Sequence, residues 1–446
     1  MLDQSSHSDP SAIPPTLSAP RALVFWSAVL LTGVGAGLGA AILTKLLFLV
    51  QHRAWPGSDV LDAASRADAW HHLAVLLAAG GATAFGQVLL RKLSSGNSID
   101  LTEAITNYAG RLPALRTLGS ATLSVVVVGM GASLGREGAP KQAGAVVANA
   151  LADRCALSDE QRRLLVACGA GAGMAAAYGV PLGGALFAVE VLRGVLALRL
   201  ILPALLAAAA ASGVAWWLAI PNEPTYQIPS YALSMSVIVW AVVAGPIAGA
   251  VSVGFVRLIA WADRRKPSGT LRFIVPVAAL GLLGAVSIPF PQLLGNGKDI
   301  AELAFTNQVA PLLLLVLFVL KPFATALCLG SGVPGGLFTP SLSIGALFGG
   351  ALGVAWSWIW PGTPPGLCAI IGSACVLAAT THGPISSIVL VMELTGRDRS
   401  FILPMIIGVV LATVVARSMD ARSIYDARFS DREVADLLQA RKPAAR

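Results

Sequence analysis

Charge is what this sequence has least of. Of its 446 residues only 12% are charged, against roughly 25% in a typical soluble domain. A water-soluble fold of this length could bury a large core but would still need a charged surface, so that class is excluded and lipid is left as the solvent. Cysteine is sparse too. Cys155, Cys168, Cys328, Cys368 and Cys375 form an odd set without metal-like spacing and read as packing residues. There are five histidines and no His-Glu-x-x-His run, so a membrane-embedded metalloenzyme lacks its parts. His382, read as the one histidine deep in an apolar region, precedes Gly383-Pro384 and reads as a turn residue. No metal and no cofactor is implied. Residues 1–20 lack the hydrophobic stretch of a cleavable signal and read as a disordered cytoplasmic tail.

What the chain has in excess is apolar length. Hydrophobic residues make up 56%. The runs Ala22–Leu49, Leu73–Leu90, Leu200–Ile220, Ser236–Ala262, Phe273–Phe290, Pro311–Leu320 and Phe401–Ala416 are largely free of charge. Several approach the roughly 20 residues that cross a bilayer as a helix. Their Ala/Leu/Gly composition suits helices, which satisfy their own backbone in lipid, and not barrel strands. The net charge is +8, and its basic clusters (Arg91-Lys92, Arg162-Arg163, Arg264-Arg265-Lys266) lie between apolar runs. Charges scattered at helix ends do not make a nucleic-acid surface. They favour the cytoplasmic side, whereas the Asp-bearing loop from Gln51 to His72 suits the outer side, so both termini are expected in the cytoplasm. The expected organisation is one all-α membrane domain, 21–418, in two halves (about 21–220 and about 233–418). A cytoplasmic C-terminal helix and tail, 419–446, follows, with an amphipathic patch at Val434–Leu438.

The two halves repeat each other. Gly96-Asn97-Ser98-Ile99-Asp100 and Glu103 match Gly295-Asn296-Gly297-Lys298-Asp299 and Glu302. Gly135 and Pro140 parallel Gly335 and Pro340, and Pro181 and Glu190 parallel Pro384 and Glu393. Three pairs in the same order, each offset by about 200 residues, indicate an internal duplication. In a membrane chain that pattern points to transporter architecture, with broken helices from both halves meeting near the midplane. A duplication kept only for packing is the alternative.

The breaks fall in two motifs. In Gly131–Ala145, Gly135 and Gly138 let backbone approach a ligand closely, and an Ala-rich helix follows. A helix that begins inside the membrane aims N–H groups and a positive dipole end at an anion. Arg136 and Glu137 stand in this nearly uncharged stretch, where an ionisable group costs about 2.5–3.5 kcal/mol. A carboxylate is itself an anion, so Glu137 can take the anion's seat and leave it on protonation. An Arg136–Glu137 packing pair is the competing reading, although adjacent residues on a helix point apart. The second motif, Gly335-Gly336-Leu337-Phe338-Thr339-Pro340, supplies another helix start, with the Leu337 and Phe338 amides toward the ion. For Phe338, ordinary packing serves equally well.

Gly135–Pro140 followed by Gly335–Pro340, with Pro181–Glu190 and Pro384–Gly396 after each, resembles the CLC family of chloride channels and proton-coupled exchangers, from about Val88 to Tyr425. The resemblance implies a homodimer of inverted-repeat subunits carrying chloride or another small anion, with protons as co-substrate in the exchangers. It implies Glu137 as gate. It places Asn97, Ser98, Gly135, Arg136, Gly138, Gly336, Leu337, Phe338 and Tyr425 around the anion. Asn97 stands where the family has a serine, Asp100 where it has a proline, and Pro140 is displaced by one position. Exchangers commonly carry two adjacent glutamates where this chain has Glu190-Val191, so Val191 leaves the proton-relay position apolar, as in the channels. Glu190 and Glu393 read as buried hydrogen-bonding residues.

Overall fold

The computed structural model describes residues 16, 21–57, 59–94, 100–218, 220, 224–396, 401–420, 422–426 and 429. Asn97, Ser98, the Val434–Leu438 patch and all but one residue of the expected tail 1–20 lie outside them. The exception, Thr16, is buried: its hydroxyl donates to the Arg199 carbonyl and its own carbonyl accepts from Trp26 Nε1.

The described residues are helical nearly throughout. The first half runs α1 (Ala22–Ala54), α2 (Val60–Arg66), α3 (Ala69–Leu93), α4 (Leu101–Asn107), α5 (Ala114–Gly129), α6 (Gly138–Arg154), α7 (Asp159–Tyr178), α8 (Pro181–Leu186) with a π-helical extension Phe187–Arg193, and α9 (Leu198–Trp217). The second runs α10 (Met235–Arg264), α11 (Leu271–Ser287), α12 (Lys298–Phe305), α13 (Pro311–Gly330), α14 (Phe338–Ile359), α15 (Pro365–Thr381), α16 (Pro384–Thr395) and α17 (Ile402–Met419). Seven of these helices are long and apolar enough to cross a membrane. Their outer faces carry exposed leucines and tryptophans, Leu23, Leu312, Trp217 and Trp358 among them. That surface suits lipid tails, with Trp at helix ends near the headgroups.

Lipid gives no hydrophobic force between helices, so the interior is built on small residues that allow backbones to touch. Gly33 and Gly37 of α1 lie so close to α9 that an added Cβ would stand 2.5 Å from the Ala207 carbonyl and 2.6 Å from that of Ala211. Gly245 and Gly249 of α10 meet α17 the same way, 2.8 Å from the Gly408 carbonyl and 2.6 Å from that of Ala412. The pair α6–α7 likewise has its counterpart in α14–α15. The duplication is therefore one of packing as well as of sequence.

The halves also cap each other. The Glu190 carboxylate accepts from the amides of Ile385 (3.1 Å) and Ser386 (2.6 Å) at the start of α16. The Glu393 carboxylate accepts from Leu182 (3.0 Å) and Gly183 (2.6 Å) at the start of α8. Each glutamate thus satisfies two orphan N–H groups and meets the positive end of the other half's helix. Both are hydrogen-bonded as expected but only half-buried. Glu393→Ala should lower stability by about 2–4 kcal/mol, since bonds to a charged acceptor contribute about 1.5–3 kcal/mol each. Glu190→Ala should match it. Thermal unfolding in detergent reads both, and an unchanged midpoint in either would contradict the capping role.

The starts of α6 and α14 keep the 200-residue offset of the motif alignment, Glu137 standing before one and Leu337 before the other. Two sequence expectations change. The run Pro311–Leu320 continues as helix to Gly330 because the fully buried Lys321 ammonium turns inward, donating to the carbonyls of Leu293 (3.0 Å) and Gly295 (3.1 Å). And His382 is not the one deep histidine: His72 is buried, one ring nitrogen 2.8 Å from Ser287 Oγ and the other 2.9 Å from the Ala64 carbonyl. His382 itself ends α15 in the left-handed region (φ 58°), a turn position.

Candidate functional site

Between α5 and α6, and again between α13 and α14, the chain leaves the helical conformation inside the bundle. The two breaks meet. Gly135 and Gly336 form an antiparallel bridge, each amide donating to the other's carbonyl at 2.8 Å. Beyond the bridge Glu137 caps α6, Leu337 caps α14, and the starts of both helices converge on one buried point.

The Glu137 side chain occupies that point. It is 0% exposed; one carboxylate oxygen accepts from the Phe338 amide at 2.6 Å and the other from Thr339 Oγ1 at 3.1 Å. The Tyr178 hydroxyl lies 3.1 Å from the same Thr339 oxygen and completes a polar relay into α14. The glycines make the seat possible. An added Cβ would fall 2.1 Å from a Glu137 oxygen at Gly135 and again at Gly336, so any larger residue would evict the carboxylate. Gly138 backs onto the Gly336 amide in ordinary contact. A negative oxygen here therefore meets a main-chain donor and the positive end of a helix in a site without bulk water.

Arg136 points elsewhere, its guanidinium 4.7 Å from the centre of the Tyr178 ring. Among the described ion pairs none joins it to Glu137. Phe338 and Leu337 are buried, and the Phe338 ring meets Phe187 edge-on at 6.3 Å. Phe187 in turn meets Tyr425 edge-on at 5.8 Å. Tyr425 is held by a short segment after α17, where the Ile424 amide donates to the Thr380 carbonyl at 2.7 Å. The segment is tied at its base by Asp420, which pairs with Arg422 and Arg257. Burial pushes the Asp420 carboxyl up, but these guanidinium bonds outweigh it and hold the group below its ordinary value.

The structure thus gathers Gly135, Glu137, Gly138, Gly336 and Phe338 at one point. It sets Tyr425 behind Phe187, puts Arg136 to one side, and leaves Val191 buried against Gly383. Thr339, Tyr178, Phe187 and Lys141 belong to the site and had no role in the sequence reading. Among the described residues no group of His, Cys, Asp and Glu could hold a metal.

Comparison with known proteins gives this arrangement a context. A family profile described as voltage gated chloride channel matches residues 75–417. A voltage-gated ClC-type chloride channel ClcB of Citrobacter koseri is 32% identical over 389 residues, covering 82% of this chain and 89% of the relative. The protein of that name from Escherichia coli is 34% identical over 413 residues, covering 86% and 92%. Among solved structures, a slow cyanobacterial Cl⁻/H⁺ antiporter superposes with a TM-score of 0.79 at 22% identity, over 95% of this chain and 99% of the other. A CLC-type fluoride/proton antiporter gives 0.74 at 24% identity, over 92% and 99%.

Proposed function

Since this chain belongs to the voltage-gated chloride channel (CLC) family, we propose that its multi-pass CLC-type anion pathway is a passive one for chloride, gated by Glu137. It is a transport protein and not an enzyme. One observation carries the proposal: a buried carboxylate sits on the Phe338 amide, where the starts of two half-helices favour any small anion. Deprotonated, Glu137 competes for that seat. Protonated, it loses the charge that holds it there, and the anion can enter. In this reading Leu337 and Phe338 supply amides to the ion, and Gly135, Gly138 and Gly336 supply room. Tyr425 lines the approach from the Phe187 side, while Arg136 adds positive potential from the side; Asn97 and Ser98 stay candidates by resemblance alone.

Val191 supports passive conduction, because the position that would relay protons inward is apolar and buried. The relatives that share about a third of their residues with this chain are named channels. A second reading, proton-coupled exchange, is supported by the names of the solved structures with this fold, which are antiporters. One measurement separates them. In proteoliposomes with a chloride gradient and no proton gradient, passive conduction predicts no alkalinisation or acidification beyond leak. Sustained uphill proton movement would replace the channel reading with the exchanger. In either case we place both termini in the cytoplasm and two copies in the working assembly.

A further inference from the structure

Two donors hold the Glu137 carboxylate, and each serves a different oxygen: the Phe338 amide at 2.6 Å and the Thr339 hydroxyl at 3.1 Å. The second donor is itself backed, since the Tyr178 hydroxyl stands 3.1 Å from Thr339 Oγ1. A hydroxyl has one hydrogen to give and a charged carboxylate has none. Thr339 gives its hydrogen to Glu137, so Tyr178 must be the donor to Thr339. The chain therefore has one direction, from Tyr178 through Thr339 to Glu137, and each link polarises the next. Main chain sets where it starts: Tyr178 is the last residue of α7, buried, with Gly179 turning left-handed after it (φ 68°). Other ionisable groups surround the seat. Arg136 lies over the Tyr178 ring, Lys141 over the rings of Phe187 and Tyr425, and Tyr226 is electrostatically coupled to Tyr178 and Arg136. Helix α14 brings none.

We propose that Tyr178 is a positioning residue for the gate: acting through Thr339, it latches the charged Glu137 side chain in its seat and sets how tightly the path is closed at neutral pH. The assignment rests on the gate reading of Glu137 given above and adds to it the part that holds the gate shut. Every hydrogen in the chain points toward the carboxylate. It strengthens the hold on a charged gate and presents no acceptor to the hydrogen of a protonated one. A carboxylate also spans both donors with its two oxygens, whereas chloride, a single atom on the Phe338 amide, takes one of the two oxygen positions. The latch thus favours the gate over the ion that competes with it.

Chloride efflux from proteoliposomes at neutral and acid pH tests this with the full-length protein. Tyr178→Phe, which removes one hydroxyl, should raise efflux at neutral pH about threefold. Thr339→Val, which removes the direct donor, should raise it about fivefold or more, and Thr339→Ser, which keeps the hydroxyl, should bring it back to within about twofold of wild type. The excess should shrink as pH falls, because protonation releases the wild-type gate as well. Joined to Glu137→Ala, Tyr178→Phe should add no further speed, for a latch without a gate holds nothing. Gel-filtration profiles show which variants fold, and the two positions give two chances. Wild-type efflux at neutral pH in folded Tyr178→Phe and Thr339→Val, with Glu137→Ala still fast, would overturn the latch and leave the gate standing. Slower efflux, or a gain that multiplies that of Glu137→Ala, would overturn it too, by showing that the hydroxyls act on the ion itself. A Glu137→Ala variant with the wild-type pH dependence would remove the gate reading and this inference with it.

Discussion

Glu137→Ala vesicles should lose chloride fast at neutral pH and equally fast in acid, whereas wild-type vesicles should be slow at neutral pH and speed up as it falls. The substitution removes the only carboxylate that touches the Phe338 amide among the described residues, so the seat is left to the permeating ion. Glu137→Gln should behave alike, since a neutral amide imitates the protonated acid without its ability to recharge. At neutral pH we expect efflux at least about tenfold above wild type, the change that follows from removing about 1.4 kcal/mol of barrier. Initial rates at two pH values suffice. A variant that retained the wild-type pH dependence would show that the gate is elsewhere.

The opposite result is expected at Gly336, which faces the same carboxylate. Gly336→Ala would put a methyl 2.1 Å from the Glu137 oxygen, inside the space that the carboxylate and the anion share. Overfilling a packed site costs about 1–3 kcal/mol, and here the methyl blocks the seat for both occupants. Flux should drop about tenfold or more, and protonation should not restore it. The double variant with Glu137→Ala is decisive. It should stay slow, because removing the gate does not remove the plug. If it ran as fast as Glu137→Ala alone, the route would have to bypass the Gly135–Gly336 bridge.

Much of this was legible in the chain. Long uncharged runs become spanning helices because lipid leaves the backbone no other partner. Glycines and charges inside such runs mark where helices break, which is why Gly135, Glu137 and Gly336 could be named in advance. Other features depend on residues brought together from distant parts of the chain and leave no local trace. Lys321 ends the uncharged run in the sequence; two carbonyls from the segment before α12 absorb its charge, and the helix continues. Thr339 and Tyr178 join the site only once α7 and α14 are side by side. Lys141 was visible as the lone lysine of its motif, but its aromatic neighbours come from the π-helical turn after α8 and from the segment past α17.

The bridge has one more consequence. The jaws on either side of the Glu137 seat are main chain, one from each half, joined by a single rung of two hydrogen bonds between residues that have no side chains. Exchange of side chains can plug such an aperture but cannot open it wider. Its bore is set by how the two halves lean on one another, through the glycine notch of α3 on α11, where an added Cβ at Gly80 would stand 2.6 Å from the Val277 Cα, and through the packing of α8 on α16. The calibre of the passage is therefore a property of the whole bundle, and a change of helix packing far from the lining would also reach the ion.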